Sequence, residues 1–219
     1  MICDYPKCKK IMFEIDDLTP NDKIIGNERR NDERVLFSNS LVGNWSFFAD
    51  GYKLAADMLV DQIEGIPPED CLIGPALFLY RHWIELKLKE LIISLNVFSA
   101  TEITRPNHHD LNELWHRVKS NLHNLRGSGT PDKRFALLEA RIKELHKLDP
   151  DGYRFRYPVN TRSEITDLPE SLGMKNLKDT MDKISNEFGK IDGGIDYEGD
   201  SRTLDAELQA EMRSYGGWE

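Results

Sequence analysis

FLYRHWIELKLKELI, residues Phe78 to Ile92, has the apolar spacing of a helix, yet Arg81, His82, Glu85 and Lys89 fall away from the side that water should cover. At about 100° per residue, Leu77, Ile84, Leu88, Leu91, Ile92 and Leu95 gather in one arc. Arg81 lies inside that arc, so it is expected to point inward. Leu79, Leu86 and Ile93 form a second apolar arc on the far side. His82, Glu85 and Lys89 then make a polar strip between two hydrophobic ones, and Trp83, Lys87, Glu90 and Ser94 make the expected water face. Buried charge is tolerated only when paired and hydrogen-bonded, so Arg81 with Glu85 and Glu85 with Lys89, each at i,i+4, are expected to satisfy one another in part. Two readings stand side by side: an internal ion network that orients helices, or a polar cleft.

Outward from this helix, which the pattern extends over about 71–96, every further periodic segment is also helical. Upstream, NWSFFADGYKLAADMLVDQIEG repeats Trp45, Phe48, Tyr52, Ala56, Leu59 and Ile63 on one side, with Asn44 as a cap and Gly65 as a stop. Downstream, HHDLNELWHRVKSNLHNL starts at Asp110, a credible N-cap with Glu113 three residues on, and buries Leu111, Leu114, Trp115, Val118, Leu122 and Leu125. RGSGTP breaks it, and FALLEARIKELHKL follows with Phe135, Leu138, Ile142 and Leu145 on one face until Asp149 and Pro150. A polar connector, DGYRFRYPVNTRSEITDLPE, leads to a core helix carrying Met174, Leu177, Met181, Ile184, Phe188 and Ile191. A connector of that length in a compact domain is often functional. After DGGIDYEGD, a weaker helix capped by Ser201 is expected to pack outside the bundle or against a partner. With no repeat and no alternating strands, the class is all-α, organised as an irregular arm over 1–43, a helical domain over 44–191 and an acidic tail with a short helix over 192–219.

Composition narrows the function. The chain has 219 residues, enough for one well-buried core. Its net charge of −9 argues against a broad electrostatic grip on nucleic acid, though not against a local basic pocket. Three cysteines, Cys3, Cys8 and Cys71, form no disulfide framework and fit a reducing cytoplasm. CDYPKC has no second Cys or His pair at finger-like spacing, so two unrelated thiols are expected rather than a metal site. Charge interrupts every apolar run, so neither a membrane span nor an export signal is expected. No Gly-rich phosphate loop, nucleophile triad or dinucleotide fingerprint is present, and no cofactor is expected.

Three landmarks in order, YRHWIELKLKELI, HHDLNELW and FRYP followed by an amphipathic helix, resemble the HEPN superfamily. Glu85, Leu88, Lys89 and Leu91, then His109, Asp110 and Leu111, then Arg156, Tyr157 and Pro158 stand where that family has an E-x-x-L-K-x-L-like run, an H-D-L-like cap and an R-Y-P turn. The resemblance covers about residues 71–191. It implies an up-down four-helix bundle, here with an extra N-terminal and a peripheral C-terminal helix. It also implies frequent homodimerisation, partners such as an antitoxin or another defence-system protein, and a place in toxin–antitoxin or phage-defence systems. Many members are metal-independent endoribonucleases in which an Arg and a His, four to six residues apart, hold the phosphate and move protons.

This sequence departs from that motif. Arg154 and Arg156 have no His at the required distance beyond them, and Arg141 to His146 lies one element earlier. On a continuous helix those two side chains are separated by about 140°. His146, amid Phe135 and Ile142, is also readable as a core histidine satisfied by a hydrogen bond. The candidate catalytic groups are therefore His82, His109, His146, Arg154 and Arg156. The candidate binding groups are Arg81, Glu85, Lys89, His108, Arg141 and Tyr157. Structural roles compete for each of them: Asp110 is explained by capping alone, and Arg156 stacked on Tyr157 or paired with Glu85 would lock the connector to the bundle. His116 and His123 read as surface residues. Two functions stay open, a metal-independent ribonuclease acting on RNA and a non-catalytic module that binds a nucleotide, RNA or a protein partner.

Overall fold

The computed structural model describes residues 45–63, 69–99, 101, 106–126, 133–157 and 171–215, with side chains over 45–63, 71–99, 101, 106–124, 135–157 and 171–197. The chain divides after Asn44, and every described residue belongs to the unit Trp45–Glu219. The expected arm over 1–43, the Asn44 cap, Gly65, the Leu125 side chain, Pro158, and Cys3 and Cys8 lie outside what is described.

Every regular element among the described residues is a helix, as the all-α class requires. The helices are α1 (Trp45–Asp61), α2 (Ile73–Phe98), α3 (Leu111–Arg126), α4 (Lys133–Leu148) and α5 (Met174–Tyr215), with one 3-10 turn, Glu69–Leu72, leading into α2. α2 is the central element: α1, α3 and α5 pack against it, α4 bridges α3 and α5, and α1 also touches α5. Packing of α5 on the side of α2 that carries Trp83 and Lys87 overturns the expectation that these two face water. Trp83 is buried edge-on against Phe188 of α5, and Lys87 runs across to Asp192 at 3.2 Å while also holding Glu90 at 2.6 Å.

Elsewhere the apolar periodicity and the packing agree, with one rotation. Leu111, Leu114, Trp115, Val118 and Leu122 of α3 and Leu138, Ile142 and Leu145 of α4 are buried, and Trp115 meets Phe135 edge-on between the two helices. Asp110 caps α3 as expected, its Oδ1 accepting the backbone N–H of Glu113 at 3.0 Å. In α1 the inward side is centred on Ala49, Ala56 and Val60, while Phe48 is exposed. Charge pins α1 to its neighbours: Lys53 donates to Asp57 at 2.8 Å and to Asp182 of α5 at 2.6 Å, and the Tyr80 hydroxyl of α2 donates to Asp57 at 2.6 Å.

The separate tail helix beginning at Ser201 is not found, because α5 runs unbroken from Met174 to Tyr215 through Gly193 and Gly194. Each glycine costs a helix about 1 kcal/mol relative to alanine. Ile191 and Ile195 on either side of the pair are buried, and their packing holds the helix across it.

Candidate functional site

The polar strip of α2 is the centre of a buried network, as the internal-ion reading supposes. Arg81 is 2 % exposed, Glu85 2 % and Asp149 0 %. The Arg81 guanidinium donates through Nη1 to Glu85 Oε2 at 3.0 Å, through Nε to the Asp149 carbonyl at 3.0 Å and through Nη2 to the His109 carbonyl at 2.8 Å. Nε also stands 3.4 Å from Asp149 Oδ2. One side chain therefore clasps α2, the residue before the α3 cap and the end of α4. Two cations, Arg81 and Lys89, face two carboxylates, Glu85 and Asp149, so the buried charges balance, the condition under which such a network is tolerated.

The chain after α4 is shaped around this clasp. Asp149 Oδ1 accepts the backbone N–H groups of Tyr153 at 2.7 Å and Arg154 at 2.9 Å, closing a turn. Gly152 within it has φ +72°, and a Cβ there would lie 2.9 Å from Arg81 Nη1. Only glycine combines that conformation with so close an approach. Asp149 is thus more than the helix stop that its position before Pro150 suggests, because its carboxylate builds the turn. The D-P-D-G order, an acid that can bond its own downstream backbone three residues before a glycine, is the signal that would have found it.

Glu85 has a second role. Its Oε1 accepts from Lys89 Nζ at 2.8 Å and lies 2.8 Å from His109 Nδ1. Burial, the largest influence on Glu85, pushes its carboxyl up, but the hydrogen bonds and charges of Lys89 and His109 together outweigh it and hold the group below its ordinary value. With Glu85 ionised, His109 Nδ1–H is the donor, and the lone pair of the neutral ring falls on Nε2. The His109 side chain is 62 % exposed and Nε2 engages no described residue. A buried carboxylate thus orients a solvent-facing imidazole.

The other candidates divide around this pair. His82 does not join it: the ring lies edge-on to Tyr52 at 4.5 Å and stacked on Phe78 at 5.8 Å, and burial lowers its pKa from 6.5. Arg156 does not reach Glu85. Its Nε donates to the Gly152 carbonyl at 2.7 Å, and its guanidinium sits 5.5 Å from the Phe78 ring, 5.8 Å from Tyr153 and 5.7 Å from Tyr157. Tyr153 and Tyr157 stack at 4.2 Å. Arg154 contributes its backbone N–H to Asp149 and is half-buried. Arg141 and His146 part company, since α4 is continuous through both: Arg141 is exposed and holds Glu144. His146 turns to α3, with Nδ1 3.8 Å from Asp110 Oδ1 and no hydrogen-bond partner among the described residues, so it is not the satisfied core histidine of that reading. His108 approaches Glu113 at 3.6 Å, and His116 and His123 are exposed.

The structure therefore brings Arg81, Glu85, Lys89 and His109 into one cluster, sets Arg156 and Tyr157 against its outer edge through Gly152, and leaves Arg141 apart. Among the described residues, no group of three or more His, Cys, Asp or Glu side chains is placed to hold a metal, and no helix is long and apolar enough to cross a membrane. Comparison with protein-family models, with curated proteins and with solved structures returns no match.

Proposed function

We propose that the chain is a HEPN-like bacterial protein of the toxin or phage-defence type, working as a homodimer in the cytoplasm, that cleaves RNA without a metal and uses His109 for proton transfer. The observation that carries this reading is the Glu85–His109 pair. A buried carboxylate 2.8 Å from Nδ1 fixes the tautomer and leaves Nε2 open to solvent, which is the arrangement a general base requires. In the reaction, Nε2 takes the proton of a ribose 2′-hydroxyl as that oxygen attacks the adjacent phosphorus. The bond from phosphorus to the 5′-oxygen breaks, the departing oxygen takes a proton from water, and the products are a 2′,3′-cyclic phosphate and a 5′-hydroxyl. In this reading Arg154 and Arg156 are the cations assigned to the phosphate, because Arg81 spends its donors on carbonyls and on Glu85.

One observation favours the second reading, a non-catalytic module for a nucleotide, RNA or a protein partner such as an antitoxin. No second histidine reaches Glu85 or His109 among the described hydrogen bonds: His82 is enclosed by rings, and His146 lies on Asp110. The deciding experiment incubates purified protein with end-labelled tRNA and total RNA in EDTA. Fragments ending in cyclic phosphate support the ribonuclease. Intact RNA at high protein concentration, with any neighbouring gene product supplied, supports the binding module.

A further inference from the structure

We infer that the outward face of α1 is the seam on which a second copy of this chain docks; this rests on the homodimer of the reading above and deepens it by placing its interface. Helical arithmetic puts Phe48, Leu54, Ala55 and Met58 within about 60° of the line through Gly51. That line runs opposite the buried Ala49, Ala56 and Val60, on the side that water should cover. The face is apolar all the same: Leu54 is 62 % exposed, Met58 61 % and Phe48 42 %. Single exposed hydrophobic residues are normal on a protein surface, but three on one helix face make a patch.

Gly51 is the second observation. A glycine inside a helix weakens it relative to alanine, and no described atom lies within 4 Å of where its Cβ would stand. No described contact within the chain therefore requires it. A neighbouring helix does, because the distance between two packed helices is set by the side chains at the crossing, and Gly51 with the small Ala55 one turn on leaves a recess there. Leu54 projects beside that recess, so one face carries both a knob and a hole. A surface that complements itself is what a two-fold dimer uses. The five residues bear no charge, so a nucleic acid or a charged peptide has nothing on this face to pair with.

Area sets the strength. The three exposed side chains offer an apolar patch on the order of 300 Å² per copy, near the lower size at which such patches mark interaction sites. Two copies, at the roughly 65 % apolar share of homodimer interfaces, hide about 900 Å² in all, short of the roughly 1,200 Å² of a tight complex. The dimer is therefore expected to depend on concentration, with a Kd on the order of 10 µM.

The test is sedimentation velocity on the full chain from about 2 to about 200 µM, a span that brackets this constant. Wild type is expected to pass from monomer to dimer across it. Leu54→Lys is expected to weaken association about tenfold or more, although it makes the chain less acidic and so lowers the repulsion between copies. Gly51→Leu, which fills the recess, is expected to weaken it similarly, while its thermal midpoint at the lowest concentration does not fall below that of wild type. Leu137→Lys, at an exposed leucine of α4 rather than α1, is expected to match wild type. Dimerisation at the wild-type constant in both Leu54→Lys and Gly51→Leu, or equal weakening by Leu137→Lys, overturns the seam and leaves a homodimer standing. A wild type that stays monomeric throughout overturns the homodimer, and the seam with it.

Discussion

Arg81 and Arg156 both meet Gly152 and teach opposite lessons. Arg81 is buried, and its guanidinium is used up by Glu85 and by the carbonyls of His109 and Asp149. Arg156 is exposed, and among the described residues it has one hydrogen bond, to the Gly152 carbonyl, and three aromatic neighbours. Around one glycine the same residue type builds the fold where it is buried and offers a cation to solvent where it is exposed. Desolvation makes the difference: a guanidinium without water must find fixed acceptors, and once it has them it has nothing left for a ligand.

This contrast is easiest to break by mutation. Arg81→Ala leaves Glu85 Oε2 and Asp149 Oδ2 buried without their cation, and urea unfolding should show a loss of about 3–5 kcal/mol. Arg156→Gln should cost less than about 1 kcal/mol, as expected for an exposed side chain. Equal losses in the two variants would mean that the connector, not the clasp, holds the helices together.

Gly152→Ala comes next. It forces a side chain into the left-handed region, at about 1–3 kcal/mol, and pushes its Cβ to 2.9 Å from Arg81 Nη1, so a lowered melting temperature is expected. A thermal midpoint equal to that of wild type would show that Arg81 does not pack on this turn.

A smaller effect should appear with pH. Burial between Tyr52 and Phe78 lowers the His82 pKa below 6.5, so the folded protein binds fewer protons there than the unfolded chain. The contribution is fully present above pH 6.5 and is lost as pH falls through the lowered pKa, with a slope of at most about 1.4 kcal/mol per pH unit. That decline begins before Glu85 and Glu139, both depressed from 4.5, start to titrate. Urea titrations of His82→Phe should show a flatter profile below pH 6.5 than wild type, and an identical slope would place His82 in water.

The sequence made the clasp partly legible. Arg81 falls within the apolar arc of α2 by helical arithmetic, and i,i+4 spacing pairs it with Glu85 and Glu85 with Lys89; the structure has both pairs. The cap at Asp110 and the core stripes of α3 and α4 were equally readable, because each depends on neighbours within a turn or two. The misreading of Trp83 and Lys87 has a different origin: periodicity reports which side of a helix is most apolar, not how many helices surround it. The turn closed by Asp149 was readable from D-P-D-G, but its meeting with Arg81 was not, because 68 residues separate the two. The orientation of His109 by Glu85 was hidden for the same reason, since 24 residues separate them and only the packing of α3 on α2 brings the two groups to hydrogen-bonding distance. Gly193 and Gly194 misled in the other direction, as local helix breakers overruled by the burial of Ile191 and Ile195.

The central claim is that structure and chemistry part at Glu85, with Arg81 serving the fold and His109 the reaction. Single-turnover cleavage of labelled RNA in EDTA by His109→Ala, beside wild type and at equal folded fraction by circular dichroism, tests it most directly. The account predicts a rate lower by about 10²–10⁴-fold, the usual contribution of a positioned acid or base, in a protein whose unfolding midpoint is nearly that of wild type. Cleavage by folded His109→Ala at the wild-type rate would contradict it and return the Glu85–His109 pair to a structural role.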